Sequence, residues 1–437
     1  MKTIISLSNL ALFLALYLGI QTYEAEALTH TISIDDVVNR VSHENYRVYD
    51  NALRVYQSKQ NIQVARMNLL PKLNIWRLTG AAASTALGLT TGNTINAATS
   101  AIDMVEDLAP FLIPSNWFQL EEAKLFYLAE GEAYRALWAN ELMTAKSVYL
   151  HVLLDRELLQ KIIQNEKELE QLLSIVRSRE LLGGVPQSVS RDIEIRKLAL
   201  QEDARSLRTL LAEEEDILSF MLGLPTNTKL LLTPVALPNV KTLQPLDYNE
   251  FEFRVSDTAP EVREFDFLIQ AAAWVKKEIQ FSIFGTSSMS RGAGRGVFDS
   301  VPSQTALGFG TPASLRITSA EKEILNNQKE ASQETLQRHL KLLVDTYNLD
   351  LENDNGLTRR LELTSLAKAQ LYEKLRLGQE VDMIHLVDAS RNQIDSETAS
   401  LALQFRIAAN SDKLRRLIFQ DDYLKKPFYL EELGAAR

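Results

Sequence analysis

The chain has 437 residues, 46% of them hydrophobic and 24% charged, with a formal net charge of −10. This composition is typical of globular or fibrous-helical proteins and excludes a disordered chain. The acidic balance, with no basic tract to offset it, excludes nucleic acid as an expected partner. The absence of cysteine excludes disulfides, cysteine-ligated zinc, thiol chemistry and a lipid-modified N-terminal cysteine.

The N-terminus predicts a secretion signal. Lys2 precedes an uncharged apolar run from Leu10 to Ile20, and Ala25-Glu26-Ala27 has the form of a cleavage site. We therefore predict a signal peptide over residues 1–27; the alternative, a membrane anchor, needs a longer apolar run. No later run is long enough to predict a spanning helix, so a membrane crossing by the mature chain would require a β-barrel.

Two long helical patterns dominate the chain, at Ser115–Leu181 and Ala313–Leu377, and only the second contains a weak point, near Asn353–Gly356. At 1.5 Å per residue each helix would be about 100 Å long. Each pattern ends at a glycine turn and is followed by a second helical run, over 187–222 and 381–419. The sequence therefore predicts a mainly α fold of two long antiparallel helical hairpins, one in each half of the chain.

Hydrophobic residues recur at heptad spacing in the first hairpin, which predicts a narrow coiled-coil seam against a neighbouring helix. The predicted seam residues after the turn are Ile193, Leu200, Leu207 and Met221, with a companion row at Ala204, Leu211 and Leu218, and those before it are Ile162, Leu169 and Val176.

The remaining segments separate these helices. Residues 224–258 are rich in proline and predict an irregular connector with one strand. Two inserts, Asn74–Pro114 and Phe281–Pro312, are poor in charge and rich in small residues. The second shows the apolar–polar alternation of a membrane β-hairpin, whereas the first is equally compatible with a helix.

Several segments together resemble the outer membrane efflux protein family, the TolC-type channels. The first tip and return helix read LLGGVPQSVSRDIEIRKLALQEDARSLRTLLAEEEDILSFMLGLP, and the second read KLRLGQEVDMIHLVDASRNQIDSETASLALQFRIAANSDKLRRLI. The resemblance implies a homotrimer in outer-membrane lipid, in which β-hairpin inserts form a shared barrel and the helices a periplasmic tunnel. It also implies a periplasmic adaptor and an inner-membrane pump as partners.

The resemblance divides the chain into two repeats. The implied parts are a first repeat over 28–223 with insert 74–114, the connector 224–258, a second repeat over 259–420 with insert 281–312 and a tip near 378–388, and a C-terminal tail over 421–437.

The second tip carries the residues that the resemblance marks as a pore. The segment HLVDA resembles the family's DVLDA, so Asp388 matches its second acid and His385 stands in place of the first. Three copies of Asp388 would form a cation-favouring ring, and His385 would make that ring sensitive to pH. The alternative role of Asp388 is a helix-start acid stabilised by the helix dipole.

Six other tip residues are candidates for contact with the adaptor. The glycines most simply allow a tight chain reversal, and the polar residues have solvated surface as their alternative role. These candidates are Gly183, Gly184, Gln187, Arg376, Gly378 and Asp382.

No arrangement of residues predicts catalysis, a cofactor or a metal site. The five histidines are scattered without ligand spacing, and the glycine-rich GAGRG at Gly292–Gly296 is not followed by a phosphate-binding lysine. We therefore expect a passive channel subunit of an efflux or type I export system. The alternative is a periplasmic coiled-coil scaffold of the same fold without a conducting barrel.

Overall fold

A computed structural model describes residues 29–71, 109–183, 186–226, 228–281, 310–377, 379, 381–425 and 427. The predicted signal peptide, Gly184, Gly378 and most of both predicted membrane inserts lie outside these described residues. In the described part, no helix is long and apolar enough to cross a membrane.

The structure is mainly helical, as predicted. Its elements are β1 (Thr29–Ile32), α1 (Ile34–Glu44), α2 (Tyr46–Met67), α3 (Pro114–Leu181), α4 (Gln187–Met221), β2 (Lys229–Leu232), α5 (Asn249–Thr258), α6 (Pro260–Gln280), α7 (Thr311–Arg376) and α8 (Met383–Leu417), with short 3-10 turns at Pro110–Leu112, Val240–Thr242 and Asp421–Leu424.

The predicted long helices are confirmed nearly to the residue by α3 and α7. The expected weak point at Asn353–Gly356 is wrong, because α7 runs through it without a break. A glycine inside a helix costs only about 1 kcal/mol relative to alanine, which is too little to end a helix of 66 residues.

Helix lengths recur in the same order in the two halves. Helices α2, α3 and α4 have 22, 68 and 35 residues, and α6, α7 and α8 have 21, 66 and 35. The division into two repeats and its boundaries stay predictions. In the predicted irregular connector the expected strand is confirmed as β2, but helix α5 also lies there.

The chain forms two compact units. The first contains the described residues that lie within 29–41, 145–237 and 359–405. In it, β1 pairs in parallel with β2, with Thr29 opposite Lys229. The Tyr149 hydroxyl donates to the Thr233 carbonyl oxygen, 2.6 Å away, just beyond the strand pair. Burial raises the pKa of Tyr149 to about 12, so the hydroxyl keeps its proton for this bond.

Helices α3 and α4 pack antiparallel in the first unit. Arg156 pairs with Glu215, Glu170 with Lys197 and Arg177 with Glu194, so residue numbers fall along α4 as they rise along α3. Most of the predicted seam is buried between hydrophobic neighbours. The buried seam residues are Leu169, Val176, Ile193, Ala204, Leu211, Leu218 and Met221.

The second unit contains the described residues that lie within 42–144, 238–358 and 406–427. One core packs α6 on α3 and α7, with Ala271, Val275 and Ile279 against Phe126 and Leu325. A second core packs α5, α7 and the end of α8 around residues such as Val255, Leu340 and Leu414. Helix α2 starts at the N-cap Asn45, whose side chain accepts the N–H groups of Arg47 and Val48.

Candidate functional site at the hairpin tips

The first tip is closed by a left-handed glycine and by a carboxylate. Gly183 has φ of 75°, a conformation that glycine adopts without steric cost, and its N–H donates to the Glu180 carbonyl oxygen. The Glu180 side chain accepts the N–H of Ser190 at 3.1 Å. Since Pro186, the N-cap of α4, makes no side-chain hydrogen bond, Glu180 supplies the cap from across the turn.

The second tip is closed by its own caps. The Gln379 N–H donates to the Lys374 carbonyl oxygen at 3.0 Å, a pattern that satisfies the last carbonyls of a helix. The Asp382 carboxylate accepts the N–H of Ile384 at 2.9 Å and caps α8. Asp382, predicted as a contact residue, therefore has a structural role that needs no partner.

The two tips share one hydrophobic core in the first unit. This core contains residues of α3, α4, α7 and α8, so each hairpin tip packs on the other. Its members are Leu169, Leu172, Leu173, Val176, Val189, Ile193, Val381, Met383, Leu386 and Val387, with Leu200, Leu371, Tyr372 and Leu375 packed against them.

A charged network that the sequence did not predict joins three helices beside this core. Glu168 of α3 accepts from the Lys368 ammonium of α7 at 2.7 Å and from the Ser390 hydroxyl of α8 at 2.9 Å. Ser390 is fully buried. Burial and then the charge of Glu168 raise the pKa of the neighbouring Tyr372, so this phenol stays neutral.

A second inter-hairpin ion pair lies farther from the tips. The Lys161 ammonium donates to Glu397 at 2.6 Å. Burial opposes the ionisation of Glu397, but the hydrogen bond and charge of Lys161 outweigh it and lower the pKa of that carboxyl. Because Lys161 lies on α3 and Glu397 on α8, this pair also ties the first hairpin to the second.

The predicted pore residues lie in different surroundings. Asp388 is half-exposed, and its carboxylate accepts from the Arg196 guanidinium of α4 at 2.5 Å. His385 is exposed, and its Nδ1 lies 3.7 Å from the Asp382 carboxylate. The structure thus pairs Asp388 with a cation of the same chain, which sequence reasoning missed because the partner is on the other hairpin.

The tips expose apolar side chains that the sequence analysis did not single out. Leu181 and Leu182 are 90% and 86% exposed, and Leu377 at the second tip is 62% exposed. Gln187 and Arg376 are also exposed, and Arg376 pairs with Glu373 one turn away. Adjacent exposed leucines are costly to hydrate and are typical of a surface that a partner covers. In the sequence, the two adjacent leucines directly before Gly183 and Gly184 were the available signal for this exposed apolar surface.

Comparison by sequence finds no matching family model and no matching curated protein. Comparison of the fold finds solved channels. The outer-membrane channel OprN superposes with a TM-score of 0.67 at 14% identity, over 89% of this chain and 90% of that one. The CmeC outer-membrane channel of Campylobacter jejuni gives 0.66 at 7% identity, over 92% and 88%. The open-state MtrE channel of Neisseria gonorrhoeae gives 0.62 at 15%, over 88% of each chain.

The chain has the TolC-type channel fold. The resemblance predicted from the tip segments is confirmed at the level of the fold. These structural neighbours are channels, not enzymes. No group of three or more metal-ligating side chains occurs within the described ranges.

We expect Glu168→Ala to destabilise the first unit by about 2 kcal/mol, because Lys368 and the buried Ser390 lose their shared acceptor. Urea denaturation followed by circular dichroism measures this loss. The matched control is Glu170→Ala, since Glu170 is exposed and pairs with Lys197; it should cost less than about 1 kcal/mol. Equal losses in the two variants would show that the network adds nothing specific.

Proposed function

We propose that this chain is the channel subunit of a tripartite efflux or type I export system in the outer membrane of a Gram-negative cell. It would act as a homotrimeric passive conduit whose hairpin tips meet a periplasmic adaptor and, with it, an inner-membrane pump. The observation that carries the proposal is the TolC-type fold over about nine-tenths of the chain, ending in joined tips with exposed leucines.

The tips suit contact with a partner because they combine rigidity with exposed apolar groups. The shared core and the Glu168 network hold both turns in place, so binding would cost little ordering entropy. Leu181 and Leu182 offer apolar surface there, and the predicted contact residues Gln187 and Arg376 are also exposed. Gly183 shapes the turn that presents them.

We also propose that Asp388 and His385 line the pore at this end. The Arg196 guanidinium lies against the Asp388 carboxylate and would weaken the field of a three-fold acid ring. A ring of Asp388 residues would therefore be a modest cation filter. Removing the charge of Arg196 would strengthen it.

Single-channel recording and cross-linking test the conduit. Purified full-length protein should cross-link as a trimer and produce defined current steps in a planar bilayer. Trimers without current would favour the coiled-coil scaffold, and a monomer in the soluble periplasmic fraction would contradict the proposed conduit.

A second experiment tests the role of the tips. We expect the double variant Leu181→Asp, Leu182→Asp to keep trimers and bilayer current but to weaken adaptor binding at least tenfold, since apolar anchors dominate such interfaces. Pull-down with a periplasmic adaptor protein that binds the unaltered chain measures this loss. Leu198→Asp, which changes a 60% exposed leucine of α4, is the control. Unchanged binding by the double variant would exclude the first tip as the docking surface.

A further inference from the structure

The seam between α3 and α4 is a ladder of facing residues. Each step of seven residues down α3 corresponds to a step of seven up α4. Val176 faces Ile193, Leu169 faces Leu200 and Ile162 faces Leu207, a register consistent with the ion pairs between the two helices. This is the side-chain layering of an antiparallel coiled coil.

The next layer of this ladder is not apolar. One heptad before Ile162 stands Asp155, and one heptad after Leu207 stands Glu214. Both acids therefore occupy core positions of the seam, facing each other between the Ile162–Leu207 layer and Met221. We call Asp155 and Glu214 the acid layer.

The acid layer is largely removed from water. Asp155 is 8% exposed. Within the described residues, the Glu214 Oε2 atom is buried and has no hydrogen-bond partner. Two facing carboxylates in such a place cannot both be ionised at low cost, since burial and mutual repulsion both favour a bound proton. The layer therefore packs more stably with a bound proton than with both carboxylates ionised.

The surrounding charges relieve this repulsion only in part. On α3, His151 is exposed, and its charge favours ionisation of Asp155. The Arg156 guanidinium instead donates hydrogen bonds to Glu215 of α4 and to the Leu230 carbonyl oxygen of β2. The stretch of α8 on this side, 399–405, has no titratable side chain. The next charged pair along the interface of α3 and α8 is Lys161–Glu397, and its two charges satisfy each other.

The pKa of each acid moves as this geometry requires. Burial, and then the charge of Asp155, raise the pKa of Glu214 from 4.5 to about 6. Burial raises the pKa of Asp155, with His151 opposing it. Because folding raises these pKa values, the folded chain binds protons more tightly than the unfolded chain does. For Glu214 the stabilisation is fully present below pH 4.5 and is lost as the pH rises through about 6.

We propose that the acid layer is a pH-dependent weak point in the first hairpin. Protonated, it continues the seam, and ionised, it lets α4 separate locally from α3 around Glu214. The device is independent of the proposed transport function, because it depends only on the packing of one hairpin.

Hydrogen exchange of the purified full-length protein tests this device. Between pH 5 and pH 7.5, protection factors over residues 207–218, corrected for intrinsic rates, should fall about tenfold. The protection factors over residues 190–200, at the apolar layers, should stay constant over the same pH range. In Glu214→Gln the fall should disappear. Glu213→Gln, which changes the exposed neighbouring acid, should behave as the unaltered chain does.

Two results would overturn the proposal. One is constant protection over 207–218 in the unaltered chain, which would make the acid layer a pH-independent register device. The other is an undiminished fall in Glu214→Gln. If that variant does not fold, Asp155→Asn carries the same expectation and decides between the outcomes.

Discussion

Replacing Arg416 by alanine is expected to destabilise the second unit by about 3–5 kcal/mol, the usual cost of removing one partner of a buried ion pair. The Arg416 side chain is 4% exposed and pairs with Glu261. Its guanidinium carbon also lies 5.4 Å from the centroid of the Phe419 ring. Without Arg416, the Glu261 carboxylate would stay largely buried with no cation beside it.

The pairing of Arg416 with Glu261 uses only part of each group. Within the described part of the chain, Arg416 Nε and Glu261 Oε2 are both buried without a hydrogen-bond partner. The ring of Phe419 is also approached by the Arg135 guanidinium at 5.0 Å. Phe419 itself has φ of 49°, an unusual conformation for a bulky residue, so the arginines help to hold a strained turn.

Two variants separate this explanation from a general loss of charge. Arg338→Ala removes a pair with Glu334 in which both side chains are exposed, and it should cost less than about 0.5 kcal/mol. The double variant Arg416→Met, Glu261→Leu should recover most of the loss, because no buried charge is left alone. Denaturant unfolding measures all three, and a double variant as unstable as Arg416→Ala would contradict the account.

The variant Trp138→Ala is expected to lower the free energy of unfolding of the second unit by about 3–5 kcal/mol, because it leaves a cavity in the core. Trp138 is 1% exposed, and its indole N–H donates to the Ser42 hydroxyl at 3.0 Å. The variant therefore removes both a large buried ring and the link between α3 and α1 in the second unit.

Trp117→Ala provides the comparison for Trp138. Trp117 is also a tryptophan of α3 with a bonded indole N–H, which donates to the Phe111 carbonyl oxygen, but its side chain is 49% exposed. Its loss should cost about 1 kcal/mol. Thermal unfolding of the two variants under one condition distinguishes them, and losses of similar size would mean that burial does not set the cost.

The hairpins could be predicted because their signals are local. Glycine turns and proline-free runs bound α3 and α7, and seven-residue spacing identifies the seam. Asp155 and Glu214 lie at the same seven-residue spacing, but the predicted seam contained only apolar residues and so included neither. An interruption in a heptad row was therefore as informative as the row itself.

The polar contacts of the tips could not be predicted, because they join residues that are far apart in the sequence. Glu168 meets residues 200 and 222 positions away, and Arg196 meets Asp388 across 192 positions. Charged residues are frequent on the outer faces of all four long helices, so composition and spacing cannot choose among the pairings. The register of one hairpin on the other decides them.

The parallel pairing of β1 with β2 has a consequence for the order of folding. Thr29 pairs with Lys229, so the first described strand meets its partner strand only when the chain has been made to a point 200 positions further on. Closing so long a loop costs entropy that the neighbouring helices do not have to overcome. We therefore expect the α3–α4 hairpin to form first and the strand pair to join the N-terminal segment to it afterwards.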